Sequence, residues 1–129
     1  MTVHTRGIKP SLTPDAEALT KAPPCPAYLS TWAKAEWRRI MPQLIARQVI
    51  TRADLGGVEA YCAAAGSARQ IAEALALTGT LPDPKLAGVQ IRFATLARQL
   101  AAEYGLTPTS RARIGATASD EDADNPLAV

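Results

Sequence analysis

Apolar residues recur at steps of three and four along most of the chain between Trp32 and Tyr104, and this spacing is typical of α-helices. No segment alternates with the period of two that a half-buried β-strand shows. The fold class predicted is therefore all-α, with about three helices. The first helix is expected to start at Ser30 or Thr31, either of which can cap it. Its apolar positions are Trp32, Trp37, Ile40, Met41, Leu44, Ile45 and Val49.

A second helix is predicted to begin at residues 51–54, Thr-Arg-Ala-Asp, which have the pattern of a capping box. Its alanines at 63–65 favour helix and allow close contact with a neighbouring helix. Gly79, Pro82 and Pro84 are expected to end it. One face is predicted to carry Leu55, Val58, Cys62, Ala65, Arg69, Ala72 and Leu75.

The third helix is expected from about Leu86 to Tyr104, and its apolar residues form a short heptad-like stripe. Gly105 can adopt the left-handed conformation that ends a helix, and Pro108 prevents the helix from continuing. The stripe consists of Leu86, Val89, Phe93, Leu96 and Leu100. The second and third helices are therefore separated by a short proline-containing turn.

Composition divides the chain into three parts. Residues 1–27 contain five prolines and few large apolar side chains, so we expect a flexible segment until "PPCPAYL" docks on the body. Residues 28–114 form the predicted helical domain. Residues 115–129 are expected to be a disordered acidic tail.

The helical part has few large apolar side chains to form a core. Alanine supplies 26 residues and aromatic residues are only 5% of the chain. Because small domains bury a small share of their surface, such chains often gain stability by associating with copies of themselves. The two cysteines do not make a disulfide framework, and no apolar run has transmembrane length, so we expect a reducing cytoplasm and no membrane.

The net charge of +2 hides an uneven distribution. Residues 29–114 hold 11 Lys and Arg against 6 Asp and Glu, whereas residues 115–129 hold four carboxylates and no cation. A basic body with an acidic tail suggests that the body contacts a polyanion. A solvated surface with no ligand is equally compatible with this charge pattern.

The sequence gives little support for catalysis. Its single histidine, His4, lies in the proline-containing start, and no Cys/His spacing suits zinc. Gly56 and Gly57 lie in a helical pattern without the lysine of a phosphate-binding loop. No serine has a positioned base, and the acidic run at 120–124 has the character of a solvated tail. We therefore expect no enzyme activity, no cofactor and no metal.

The remaining candidates are cations near helix ends, which are suited to neutralising DNA phosphates. Two further cations, Arg92 and Arg98, lie on the third predicted helix. An alternative is that Arg39 and Arg69 only pair with Glu36 and Glu73 at helical spacing. The candidate DNA-binding residues are Lys34, Arg38, Arg39, Arg47, Arg52, Arg111 and Arg113.

Three stretches, taken in order, resemble the small terminase subunits of tailed double-stranded DNA bacteriophages. The first has a proline, then Leu, then Ala and Trp on a helix; the second has Thr-x-x-Asp before Tyr-Cys; the third has Leu-Thr-Pro-x-Ser-Arg. They read "PPCPAYLSTWAKAEWRRIMPQL", "VITRADLGGVEAYCAAAGSARQIAEAL" and "LARQLAAEYGLTPTSRARI". The resemblance covers about residues 23–114. Members usually have a longer turn with Asn-Pro where this chain has Leu-Pro-Asp-Pro at 81–84, so the angle between the second and third helices is left open.

The resemblance implies a helical protomer that assembles into a ring-like homo-oligomer in the host cell cytoplasm. It implies binding to double-stranded viral DNA, and recruitment or regulation of the large terminase subunit, which carries the ATPase and nuclease. On this interpretation the last two helices form an antiparallel hairpin, and Arg111 and Arg113 are cationic arms. The acidic tail either contacts the large subunit or competes for the basic surface. Oligomerisation is expected through Leu55, Val58, Leu86, Val89, Phe93, Leu96 and Leu100.

A small dimeric helix-turn-helix regulator or adaptor is the alternative. In that protein residues 51–55 would begin a recognition helix, with Arg52 at its start. The length and alanine content of the second helix favour packing over groove reading.

Overall fold

The computed structural model describes residues 17–112, and in this range the chain forms three α-helices and no β-strand. The helices are α1 (Thr31–Ala46), α2 (Leu55–Leu77) and α3 (Pro84–Glu103), and a short 3-10 turn (Arg52–Asp54) leads into α2. The prediction of an all-α fold is confirmed. His4, Arg113 and the acidic tail lie outside the described residues.

Local signals in the sequence begin α1 and α2. The Ser30 hydroxyl accepts a hydrogen bond from the Ala33 amide at 3.2 Å, which satisfies one of the free donors of the first turn. Before α2, the Thr51 amide donates to Asp54 Oδ2 at 2.8 Å, as expected for a capping box. The sequence therefore specifies both starts through side chains adjacent to the helix.

Helix α3 begins two residues earlier than the periodicity of large apolar residues predicts. Asp83 caps it by accepting a hydrogen bond from the Lys85 amide at 2.9 Å, and Pro84 occupies the first turn. Proline is favoured there because its missing N–H has no helical partner to lose. Pro84 is thus a start signal for α3, whereas Gly79, with φ of 65°, belongs to the turn after α2.

The end of α3 follows the prediction at Gly105, whose φ is 66°. The Leu106 amide donates to the Ala101 carbonyl at 2.9 Å across this turn, which satisfies an unpaired carbonyl of the last helical turn. The chain then begins another helical turn at Pro108. Pro108 therefore stops one helix and starts the next, a second role that the sequence analysis missed.

Helix α2 lies between the other two helices and packs against both. Within the described residues the backbones of α1 and α3 do not approach each other closely, so the three helices do not form a closed bundle. The core lies where the first half of α2 packs against α1 and against the second half of α3. Its buried residues are Leu29, Ala33, Trp37, Ile40, Met41, Leu44, Ile50, Val58, Tyr61, Cys62, Ala64, Ala97 and Ala101.

The segment before α1 is attached to this core. The Leu19 amide donates to the Ile50 carbonyl at 2.9 Å, and the side chains of Leu19 and Cys25 pack against the buried cluster. Residues from about 19 onward therefore belong to the packed body. The expected flexible segment at 1–27 stays a prediction for residues 1–16, which lie outside the described range.

The outer half of the α2–α3 hairpin has no core of its own. Not one residue from 67 to 96 is fully buried, although this stretch contains Ile71, Leu75, Val89 and Phe93. Two helices side by side can cover only one face of each other, and α1 reaches this half with its first turn, where Trp32 bonds to Glu73. The apolar side chains of the outer half are therefore only partly covered within one chain.

Close contact between α1 and α2 requires glycine at position 66. A Cβ atom there would lie 2.6 Å from the Ala33 amide nitrogen and 2.8 Å from its Cα atom. Both atoms belong to the backbone of α1, so the clash cannot be relieved by rotating a side chain. The two helices touch here through main chain and small residues.

We predict that Gly66→Ala lowers the free energy of unfolding by about 1–3 kcal/mol or more, because α1 must move away from α2. Gly56→Ala is the matched control: it makes the same change in the same helix, where no atom lies within 4 Å of the new Cβ. Its stability should be unchanged or up to about 1 kcal/mol higher, since alanine is the better helix former. Urea unfolding of both variants at one protein concentration tests this, and equal stability would show that the helices do not meet at Gly66.

Candidate nucleic-acid interface

The predicted DNA-binding cations fall into three places on the described chain. Lys34 and Arg38 lie along a side of α1, and Arg39 faces α2. Arg47, Arg52 and Arg111 lie at the end of the molecule where α1 and α3 end and α2 begins. The structure therefore does not gather the predicted set into one patch.

Lys34 and Arg38 are one helical turn apart and so lie on the same side of α1, which we call the α1 flank. Arg38 is exposed and Lys34 is half-buried. Neither side chain forms a hydrogen bond or an ion pair with any residue in the range 17–112. Their two charges are available to a ligand.

Arg39 is held by a carboxylate and a phenol. Its Nε donates to Glu36 Oε2 at 3.1 Å, its Nη2 also binds Glu36, and the Tyr61 hydroxyl donates to Glu36 Oε1 at 2.6 Å. Because Tyr61 belongs to α2, this cluster links the first two helices. Arg39 therefore contributes to the packing of α1 on α2.

The pKa shifts in this cluster keep each group in one protonation state at neutral pH. Burial acts to raise the pKa of Glu36, but hydrogen bonds from Arg39 and Tyr61 outweigh it and leave the pKa below its ordinary value. Burial, followed by the hydrogen bond to Glu36, raises the pKa of Tyr61 to about 12. The same carboxylate raises the pKa of Arg39. The charges of Arg39 and Glu36 thus cancel locally, which makes Arg39 a poor phosphate ligand.

A second carboxylate holds Arg69 beside an open groove between α1 and α2. Arg69 Nε lies 3.0 Å from Glu73 Oε1, and the Trp32 indole nitrogen donates to Glu73 Oε2 at 2.7 Å. The groove has a volume of about 380 Å³ and contains Arg39 on its wall. The alternative suggested by helical spacing, in which Arg39 and Arg69 pair with acids on their own helices, is confirmed.

Arg47 joins the end of α1 to the end of α3. Its Nη1 donates to the Gly105 carbonyl at 2.7 Å, and its Nη2 lies 3.4 Å from Gln43 Oε1. Gly105 lies two residues beyond Glu103, in the turn that follows α3. Arg47 therefore ties the end of α1 to this turn in addition to being a candidate for phosphate binding.

Arg111 binds the neighbouring carbonyl. Its Nη1 donates to the Leu106 carbonyl at 3.2 Å. The turn that carries it is fixed by Thr107 and Ser110, because the Ser110 amide donates to Thr107 Oγ1 at 3.1 Å and the Thr107 amide donates to Ser110 Oγ at 3.2 Å. Arg111 is thus exposed and bonded to the segment after α3, and the expectation that Arg111 and Arg113 are cationic arms stays a prediction.

Arg52 completes this end of the molecule as an exposed residue of the 3-10 turn before α2. We call Arg47, Arg52 and Arg111 the basal arginines. None of them forms an ion pair within the described residues. Arg47 and Arg111 bind neutral carbonyls instead. A hydrogen bond to a carbonyl leaves the cationic charge uncompensated, unlike the carboxylate bonds of Arg39 and Arg69.

The residues predicted for oligomerisation also separate into two sets. Val58 has no exposed surface, and Leu55 and Leu100 pack against the core of the same chain. On α3, Leu86 and Leu96 are 37% and 44% exposed. A shallow groove of about 280 Å³ beside them is lined by Val89, Arg92, Phe93 and Leu96. Leu86, Val89 and Leu96 are thus the accessible part of the predicted set, whereas Phe93 lines the groove and also packs against the core.

Neither the bond from Arg47 to Gly105 nor the bond between Trp32 and Glu73 was predicted from the sequence. Gly105 indicates that α3 ends there, but the cation that binds its carbonyl lies 58 residues earlier. No spacing rule connects positions so far apart. Only the packing of α2 between the two helix ends brings them together.

Other chemistry has little support in the described range. No group of three or more His, Cys, Asp or Glu side chains between residues 17 and 112 is placed to hold a metal ion. Burial raises the pKa of the Cys62 thiol to about 12, as expected for a core cysteine. None of the described helices combines the length and apolar character needed to cross a bilayer.

A comparison with protein families matches residues 33–121, more than half of the chain, to the family described as phage terminase, small subunit. The fold is the all-α class, and the chain belongs to this family. Neither the curated proteins nor the solved structures compared with the chain include a match. Membership gives the chain a role in packaging phage DNA as a non-catalytic subunit rather than an enzyme.

We predict that Arg47→Ala lowers the free energy of unfolding by about 1.5–3 kcal/mol, because a charged hydrogen bond to the end of α3 is lost. Arg38→Ala removes the same side chain from the same helix without breaking an internal bond, so its effect should stay within about 0.5 kcal/mol. Urea unfolding at matched concentrations compares the two. A similar loss in both variants would contradict a stabilising role for the bond between Arg47 and Gly105.

Proposed function

We propose that this chain binds double-stranded viral DNA as the small terminase subunit and brings the large terminase subunit to it during packaging in the host cell cytoplasm. The family match supports the packaging role, and the large subunit supplies the ATPase and nuclease. The observation that carries the DNA-binding proposal is the set of uncompensated cations on the α1 flank and among the basal arginines. No base-reading residue is assigned, so the contacts proposed are to phosphates.

Phosphate contacts of this kind give affinity through the release of counterions from DNA. Lys34 and Arg38 hold no carboxylate partner in the described chain, so binding a phosphate does not require an existing ion pair to break. Arg39 and Arg69 would first have to leave Glu36 and Glu73. We therefore place the stronger contacts on the α1 flank.

We also propose that copies of the chain associate through the outer half of the α2–α3 hairpin. This half has no buried residue, and its α3 side presents the groove formed by Val89, Phe93 and Leu96. Covering these side chains with a second copy removes apolar surface from water, which is the main driving force of association. A ring-like homo-oligomer would repeat the α1 flank, so weak contacts of each subunit would add.

The helix-turn-helix alternative receives no support from the described residues. A recognition helix needs a free face with polar side chains for base edges. Here α2 packs on both sides, against α1 and α3, and its exposed positions near the start include Gly56 and Ala60. Arg52 precedes the helix and does not change this.

We predict that replacing Lys34 and Arg38 together by Ala weakens binding to duplex DNA. The slope of log K against log salt should become shallower by about 1.8, because two phosphate contacts are lost at about 0.9 each. Fluorescence anisotropy with a labelled duplex between roughly 50 and 200 mM salt measures both quantities.

The control is the double variant Arg39→Ala and Arg69→Ala, which removes the same two charges from arginines already paired with Glu36 and Glu73. Its salt slope should change by less than half as much. An equal change in both variants would mean that net charge alone governs binding. Failure of the unaltered protein to bind duplex DNA at low salt would overturn the proposed function.

We predict that the unaltered protein is a cyclic oligomer by native mass spectrometry, and that Leu96→Glu reduces it to smaller species. A carboxylate in the α3 groove would have to be buried without a partner when two copies meet. Leu81→Glu is the matched control, since Leu81 is 93% exposed in the turn between α2 and α3 and does not line the groove. A compact monomer at micromolar concentration, or loss of assembly in both variants, would count against the α3 surface.

A further inference from the structure

The described chain ends beside the basal arginines. Arg47 and Arg111 donate to the carbonyls of consecutive residues, Gly105 and Leu106, at 2.7 and 3.2 Å. Consecutive Cα atoms are about 3.8 Å apart, so the two guanidinium groups lie within about 12 Å of each other. Ala112, the last described residue, therefore lies at the same end of the molecule.

Few carboxylates compensate these charges. Asp54 and Glu103 lie at this end, but neither forms an ion pair with an arginine within residues 17–112. The carboxylate of Asp54 accepts bonds from the Thr51 amide and hydroxyl at 2.8 and 3.2 Å. The basal arginines are therefore a cationic surface without an assigned anion.

The chain itself contains a matching anion. Residues 120–124 carry four carboxylates, and they begin eight residues after Ala112. Eight residues span at most about 28 Å, which is more than twice the width of one helix. An anionic segment tethered at this distance has an effective concentration in the millimolar range, so even a weak interaction is well populated.

We propose that the acidic run at 120–124 docks on the basal arginines of its own chain and competes there with nucleic acid. This inference rests on the proposed DNA-binding function and adds a regulatory contact to it. The run is the occupant best suited to this surface because it supplies carboxylates to arginines that lack them and is attached next to them. DNA must displace it, so only a ligand with several phosphates in a row competes effectively.

The consequence is a reduced apparent affinity. If the docked run blocks the basal arginines for part of the time, the apparent dissociation constant rises by the inverse of the open fraction. The variant with Asp120→Asn, Glu121→Gln, Asp122→Asn and Asp124→Asn should bind duplex DNA about 3–10-fold more tightly at low salt. The difference should shrink as salt rises, because ions screen both contacts.

The experiment combines this variant with Arg52→Ala and Arg111→Ala in a double-mutant cycle. If the run docks on these arginines, removing them abolishes most of the gain from neutralising the run. If the run only repels DNA through its general charge, the gain is the same with and without the arginines, and the proposal is overturned. Arg47 is left intact because its bond to Gly105 also ties the end of α1 to the turn after α3.

A second measurement needs no DNA. Amide resonances of the full ¹⁵N-labelled chain near residues 47–54 and 104–112 should differ between the native and the neutralised run. If no shifts occur there and the DNA affinity is unchanged, docking is overturned while DNA binding stands. The acidic run would then be left for another partner, such as the large subunit. Shifts in a protein that fails to bind DNA would instead support docking and refute the proposed function.

Discussion

Helix α1 buries side chains at only one half of the α2–α3 hairpin, and the rest of the architecture follows from this limited coverage. Trp37, Ile40, Met41 and Leu44 of α1 are buried at that half, together with Val58 of α2. At the outer half α1 contributes the bond from Trp32 to Glu73, and residues 67–96 include no fully buried side chain. A single copy of the described chain thus has a well-packed end and an end that is only partly covered.

The well-packed half depends on small residues as much as on large ones. Gly66 lets the backbone of α1 approach α2, and Gly57 lies where a Cβ atom would overlap the Tyr104 hydroxyl. These two glycines face different neighbours, α1 and the end of α3. Helix α2 can therefore serve as the central element because it lacks side chains at both crossing points, which explains how a helix rich in alanine and glycine holds the fold.

Much of this fold was predictable from local patterns, and the failures have physical reasons. Ser30, the Thr51–Asp54 box and Gly105 act on adjacent backbone groups, so their roles can be recognised in the sequence. The early start of α3 was missed because Pro84 was interpreted as the end of α2 rather than the first turn of the next helix. For the candidate site, pairs within a helix were recognisable by spacing, whereas the bond between Arg47 and Gly105 depends on tertiary packing.

The hydrogen-bond partner of each arginine determines whether its charge is compensated within the chain or is available to a ligand. Arg39 and Arg69 bond to carboxylates, so their charge is compensated where they lie. Arg47 and Arg111 bond to the carbonyls of Gly105 and Leu106 after α3, which position the guanidinium groups without neutralising them. The same arginines can therefore stabilise the turn after α3 and attract an anion. Helix α2, with 23 residues and a length of about 34 Å, places this basal surface at the opposite end of the hairpin from the uncovered half. The proposed association of copies at one end would thus leave the cations at the other end accessible.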